Sequence, residues 1–358
     1  MYVIRARNVQ QALPEALLAL RAHGIRESSR VGDVLRFPSP VTTVLEKPME
    51  RVIFHAWRDA NPFFHIVEAA WMLAGRDTLS DLTPYVKNME NFSDDGGVTQ
   101  PGAYGKRWRE HEGPRFVDQQ IWPDQLNWTV KRLRENPNDR RVVVQMWDPG
   151  VDIEAADNNG KDVPCNLTMI PWAMGGKLHL TVFNRSNDII WGLYGANAVH
   201  FSMCLEYLAG RVGLAVGTMT TVSNNFHAYV DKIPPMAVVE SSLFHAGDPY
   251  SNAPDLVAPT SLFADWGFKV MDDAYERVMR EDLDQFFNHG PMATMSDARW
   301  PWLRRALAPM ALAHQRHKGP RLGRRAGTLS ILSSVEASDW RRAATEWAER
   351  RYRVPHGG

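Results

Sequence analysis

The 358-residue chain is 44% hydrophobic and carries 41 basic residues, 41 acidic residues and two cysteines, enough material for one large domain or a domain with an appendage. A net charge of zero argues against a general nucleic-acid or membrane-surface binder, which needs a basic excess or stripe. Two cysteines supply neither a disulfide framework nor a metal-ligand spacing, so no metal is expected. The N-terminal residues lack an apolar signal core, and no stretch approaches the ~20 apolar residues that span a bilayer. A soluble protein in a reducing, cytoplasmic setting is expected.

Residues 10–22 read as an amphipathic helix, followed by short strands at 34–37 and 41–45 broken by prolines. Pro62 opens a second helix whose apolar face of Ile66, Ala69, Ala70, Trp71 and Leu73 embeds Glu68 and stops at Gly75. Residues 80–102 are rich in Asp, Asn and Gly and read as loop, ending at Ala103-Tyr104-Gly105-Lys106-Arg107-Trp108. A helix is expected over 125–134, then a turn at Pro137-Asn138-Asp139 and a buried strand over 140–147 with two arginines at its mouth. Residues 148–161 read as a loop leading to Cys165. Residues 167–173 and 177–183 form a hairpin turned at Gly175-Gly176, and 198–209 a helix stopped by Gly210. The strand at 218–222 delivers Asn225, Phe226, His227 and Tyr229 at its end. Beyond Pro234-Pro235 come loops, an acidic helix over 272–287, and a basic region bearing Arg and Trp from Arg299 onward. The chain thus divides into a domain over 1–290 and a C-terminal helical, basic extension over 291–358, whose cluster at 316–325 reads as a solvated loop.

A cysteine beside an apolar strand is ordinarily an inert buried thiol. Around Cys165, however, Arg185 and Ser186 lie one hairpin away and Arg140-Arg141 lie just upstream. Guanidinium and hydroxyl donors together cradle a phosphomonoester, and a nearby cation favours the thiolate over the thiol. Taken singly, Arg140 and Arg141 read as surface charge and Asp188 as a turn cap. Glu68 alone reads as a carboxylate satisfied by a helix end, and Tyr104 and His227 as core groups with one hydrogen bond each.

In order and spacing, Asp139-Arg140-Arg141, Pro164-Cys165, Asn184-Arg185-Ser186-Asn187-Asp188, Gly192-Leu193, Asn197 and His227-Ala228-Tyr229 resemble thymidylate synthase. Upstream, the segment from Glu68 to Gly75 is similar to the family's catalytic-glutamate helix, and the one from Ala103 to Trp108 to its active-site tyrosine segment; the likeness covers roughly 28–232. The resemblance implies an α/β (α+β) fold, a mixed sheet packed with helices, and a homodimer with shared active sites. It implies Cys165 as nucleophile toward carbon 6 of a pyrimidine nucleotide, Glu68 organising water and proton transfer, and Tyr104 assisting loss of the carbon 5 proton. Arg185, Ser186, Arg30 and the partner subunit's Arg140 and Arg141 would hold the 5′-phosphate. His227 and Tyr229 would bond the sugar hydroxyl, and Asp188 would meet the pterin of the cosubstrate 5,10-methylenetetrahydrofolate.

Base choice rests on Asn197, which matches the family's uracil-reading asparagine if one residue is inserted after Leu193; with Ala196 in that place, specificity is open. The departures from the family lean toward water entering the site. The 76–103 loop holds no tryptophan, Asp162 stands where an apolar residue is usual, Asn166 replaces a histidine, and the short apolar C-terminus is missing. The expected reaction is therefore hydroxymethylation of dUMP at carbon 5, in the bacteriophage nucleotide modification known from the family's divergent branches, hence in a host cytoplasm. The alternatives are a dTMP-forming synthase, a cytidylate hydroxymethylase or methylase, and a scaffold that only binds nucleotide or RNA.

Overall fold

The computed structural model describes residues 1–110, 123–244, 248–262 and 271–353. Its central sheet has six strands in the order β1 (Tyr2–Ala6), β4 (Val41–Leu45), β9 (Ala215–Ser223), β7 (Lys177–Asn184), β6 (Asn166–Met174) and β5 (Val144–Gln145). The sheet is mixed: β1 runs parallel to β4 and β7 parallel to β9, while β4–β9, β6–β7 and β5–β6 are antiparallel. A second sheet is ordered β2 (Ile25–Ser28), β3 (Asp33–Arg36), β10 (Phe226–Tyr229) and β8 (Asn187–Asp188). The α/β architecture expected from the sequence is the one observed.

Period-two patterning sets the two faces of the central sheet. Along β7, Leu178, Leu180 and Val182 are fully buried and alternate with half-buried His179, Thr181 and Phe183. The buried face meets α6 (Asn197–Val212), and α6 packs on α2 (Pro62–Ala74), while α1 (Val9–His23) lies against β1 and β4. The other face leaves Trp172 and Met174 exposed, with Trp172 stacked on His179 at 4.2 Å between ring centroids.

Local chemistry fixes α2. Asn61 Oδ1 accepts the backbone N–H groups of Phe63 and Phe64 at 3.1 and 3.2 Å, Pro62 occupies the first turn, and Gly75 closes the helix in the left-handed conformation. The next helix, α3 (Tyr104–Arg109), presses on α2 so closely that a Cβ at Gly105 would lie 2.2 Å from the Met72 carbonyl oxygen. Glycine at 105 thereby seats Tyr104.

Three expectations are corrected. Residues 149–157 are not loop but helix α5 (Pro149–Asp157), capped by Asp148 and begun by proline. It escapes notice because it has no apolar stripe; its one buried side chain, Asp152, is a carboxylate paired with Arg107 at 2.6 Å. The strand expected over 140–147 shrinks to Val144–Gln145. Val142, Val144 and Met146 do alternate inward, but the segment lies at the sheet edge and only two residues join the ladder. Helix α6 runs through Gly210 and stops at Gly213, whose φ of 81° is the conformation that ends a helix.

Helix α4 (Gln125–Glu135) stands where expected, and the acidic helix is α9 (Asp273–His289). Beyond the expected boundary at 290 come α10 (Pro291–Asp297), α11 (Ala308–Lys318), α12 (Arg324–Ser333) and α13 (Ser338–Arg353). Trp300, Trp302, Trp340 and Trp347 are buried in the same apolar cluster as the central sheet, and α11 and α13 pack on α2. The basic residues at 316–325 end α11, form the intervening turn and begin α12.

Candidate active site

Three strand ends make the site. Because β7 and β9 are parallel and β6 is antiparallel to β7, the start of β6 and the ends of β7 and β9 meet, with Asn166, Asn184 and Ser223 in register. Cys165, Arg185-Ser186 and Asn225 leave the sheet there, and β10 carries His227 and Tyr229 alongside. A cavity of about 580 Å³ is lined by Cys165, Arg185, Ser186, Arg30, His227 and Tyr229 among others. Six expected site residues far apart in the chain thus share one concavity.

Arg185 clamps the cysteine loop as well as lining the cavity. Its backbone N–H donates to the Cys165 carbonyl at 3.0 Å, while Nε and Nη2 donate to the carbonyls of Pro164 and Val163, both at 2.9 Å. Burial pushes the Cys165 thiol up, Asp162 adds to the rise, and Arg185 and Arg30 oppose it. The expected tilt toward thiolate is therefore outweighed by desolvation, and the resting group is the thiol. Arg30 reaches the cavity from the turn between β2 and β3 and donates to the Gly160 carbonyl at 3.3 Å.

His227 pairs in register with Asp188 across β10 and β8. Burial lowers the His227 pKa although Asp188 opposes it, so the imidazole is neutral. Its Nδ1 faces the Asn225 backbone carbonyl at 3.4 Å and Asn225 Oδ1 at 3.1 Å, which assigns the proton to that nitrogen and leaves Nε2 as an acceptor. Tyr229 lies edge-on to His227 at 5.7 Å. Asp188 accepts the N–H groups of Ile190 and Trp191 at 3.3 and 2.8 Å, so the cap reading of this carboxylate holds.

Glu68, Tyr104, Asp188, Asn197, Arg140 and Arg141 do not line this cavity. Glu68, buried on α2, is hydrogen-bonded through Oε2 to His200 Nε2 of α6 at 2.9 Å. Burial raises the Tyr104 hydroxyl, helped by the neighbouring Cys165 and Asp162, while Asn166 opposes the rise. Asn197 Nδ2 donates to Asn187 Oδ1 at 3.4 Å, and Asn187 in turn donates to Ser223. The segment before it, Ile189–Ala196, is a π-helix with non-helical torsions at Gly195. Arg141 pairs with Asp139 at 2.9 Å, and Arg140 is exposed on the same turn.

Sequence reasoning missed several wall residues. Trp147, Asn159 and Lys161 line the cavity because α5 turns the chain back over it; without that helix their segment carried no signal. Arg36 also lines it, held by Glu27 through two bonds of 2.7 Å.

The thymidylate synthase family model matches residues 55–246. The chain is 43% identical to a deoxyuridylate hydroxymethyltransferase of Pseudomonas phage M6, over 98% of this chain and 95% of that protein. A deoxyuridylate hydroxymethyltransferase of Bacillus phage SP01 is 37% identical over 54% of this chain and 50% of its own. A putative thymidylate synthase of Methanosarcina barkeri is 29% identical over 63% of this chain and 89% of its own. With its cysteine, arginine and histidine brought to one cavity by the strand ends, the chain belongs to the thymidylate synthase family of one-carbon transferases.

Proposed function

We propose that the protein converts dUMP to 5-hydroxymethyl-dUMP, taking the one-carbon unit from methylenetetrahydrofolate. The observation that carries this reading is the gathering of Cys165, Arg185, Ser186, Arg30, His227 and Tyr229 around one cavity of nucleotide size. The near full-length likeness to the phage M6 enzyme favours dUMP and the hydroxymethyl product over the other family reactions.

Each side chain has work suited to its setting. Arg185, Ser186 and Arg30 bind the phosphate dianion. Phosphate binding leaves Arg185 tied to the Cys165 loop, so substrate anchoring and thiol placement are one event. Neutral His227 accepts from the sugar 3′-hydroxyl through Nε2, and Tyr229 bonds the same group. Cys165 attacks carbon 6, Tyr104 takes part in removing the carbon 5 proton, and Glu68 with His200 holds protons near the base. Asn197, the first residue of α6, pairs with uracil. Arg140 and Arg141 reach the phosphate of the partner subunit, which accords with their turn lying outside this chain's cavity and with the exposed Trp172 face of the sheet.

Bound methylenetetrahydrofolate supplies a carbon at the formaldehyde level of oxidation. The residues present suit it: Asp188, a carboxyl raised by burial, accepts the Trp191 backbone N–H, and the half-exposed Trp191 indole, with the Arg58 guanidinium 4.2 Å over its ring, offers a flat surface for a pterin. The test is incubation of the pure protein with dUMP and methylenetetrahydrofolate. Tetrahydrofolate and a hydroxymethylated nucleotide support the reading; dihydrofolate and dTMP refute it.

A further inference from the structure

Beside Cys165 lies a polar group that the cavity wall does not include. Asp162 is three residues before the cysteine, and its Oδ2 accepts the Gly102 N–H at 2.7 Å. The approach is built on glycine, since a Cβ at Gly102 would lie 2.8 Å from the Asp162 carbonyl oxygen and 2.9 Å from its Oδ1. From the other side Asp94 takes the N–H groups of Lys161 and Asp162 at 2.9 and 3.3 Å. The carboxylate is thereby fixed in place, and Oδ1 makes no hydrogen bond among the described residues.

Two neighbours complete the group. The charge of Asp162 bears on both Cys165 and Tyr104. Asn166, directly after the cysteine, is fully buried against Tyr104, yet neither Nδ2 nor Oδ1 completes a hydrogen bond among the described residues. Buried amides of this kind are ordinarily completed by an ordered water. A carboxylate tied to the Gly102 N–H, two residues before Tyr104, and an amide with no completed hydrogen bond directly after the cysteine thus lie on the two segments that carry the phenol and the nucleophile.

We propose that Asp162 is the general base that activates the water of hydroxymethylation, with the Asn166 amide and Tyr104 hydroxyl holding that water. The proposal rests on the functional reading above. The carbon that receives the water is bonded to carbon 5 and stands three bonds from the cysteine sulfur, so a group set against Cys165 is within reach of it. The water oxygen bonds to the exocyclic methylene carbon of the base, and the water's proton passes to Asp162. The methylene π electrons move into the ring as an enolate. The enolate re-forms the carbon 5–carbon 6 double bond and expels the Cys165 thiolate, and the oxidation level of the carbon does not change. Burial, with Asp94 and Asp152, holds the Asp162 carboxyl at about 6 against the Gly102 N–H and Arg107, a basicity suited to taking a proton near neutral pH.

The test separates the two halves of the reaction. With dUMP tritiated at carbon 5 and methylenetetrahydrofolate, tritium release reports carbon 5 proton loss, and mass spectrometry reports the hydroxymethyl product. For Asp162→Asn, which keeps an oxygen for the Gly102 N–H, and for Asp162→Leu, tritium release is expected to stay within about three-fold of wild type. Product formation is expected to fall about 100-fold, the usual scale of a lost general base, and Asp162→Glu to recover part of it. Product keeping pace with tritium in both variants would overturn the assignment, as would parallel loss of both signals. No tritium release from the wild-type protein would instead sink the dUMP reading itself, and this proposal with it.

Discussion

At Cys165 two opposed electrostatic effects meet: desolvation raises the thiol, and Arg185 and Arg30 pull it down. Cys165→Ala is expected to lower product formation at least about a thousand-fold, as loss of a covalent nucleophile does, while calorimetry still detects dUMP binding. Arg185→Ala removes the proposed phosphate ligand and the clamp on Pro164 and Val163 together. It is expected to weaken dUMP binding about 10–100-fold, the worth of a charge-assisted bond. The same substitution raises the thiol pKa further, so alkylation of Cys165 by iodoacetamide at pH 8 should slow; unchanged alkylation would show that the guanidinium does not act on the sulfur. Cys204 provides an internal control, because burial pushes it up to about 12 and leaves it unreactive.

Helix α2 couples the site to the C-terminal helices. One side of it gives Glu68 to His200; another gives Phe63 to Trp347 and His314, at 5.4 and 5.3 Å between ring centroids. Trp347→Ala should cost about 3–5 kcal/mol, the range for a buried aromatic truncated to alanine, measured by denaturant unfolding. Burial lowers both His65 and His314 to about 3. Their folded pKa values lie below the unfolded value near 6.5, so their stabilising effect is full above about pH 6.5 and is lost as the pH falls toward 3. The slope is at most ~1.4 kcal/mol per pH unit for each histidine. His314→Phe fills the same aromatic niche and should flatten the fall in melting temperature between pH 7 and 5; an identical slope would contradict this. The elements legible in the sequence were those with a period or a punctuation mark: α2 between Pro62 and Gly75, the hairpin at Gly175-Gly176, and α4. Helix α5 was illegible because an ion pair buries its one inward side chain, and with it went Trp147, Asn159 and Lys161. The cavity residues themselves could be read from motif order, but the outward lean of Arg140 and Arg141 and the Glu68–His200 pair are tertiary facts that no local pattern encodes.

On the scale of the whole molecule, the apolar core includes residues on both sides of residue 290, so the C-terminal helices support α2, on which α11 and α13 pack. Among the described residues no helix is long and apolar enough to cross a membrane. The proposed homodimer with shared active sites makes a specific forecast. Neither Cys165→Ala nor the double variant Arg140→Ala, Arg141→Ala should be active alone, but after mixing and subunit exchange about a quarter of wild-type activity should return, because half of the dimers are mixed and each has one intact site. No recovery from a verified mixed dimer would place the arginines and cysteine in separate roles. The most direct test of the whole account is the mass of the nucleotide made from dUMP and methylenetetrahydrofolate, read with the oxidation state of the folate released. The account predicts a product heavier than dUMP by one CH2O unit, with tetrahydrofolate; a product heavier by CH2 alone, with dihydrofolate, would contradict it.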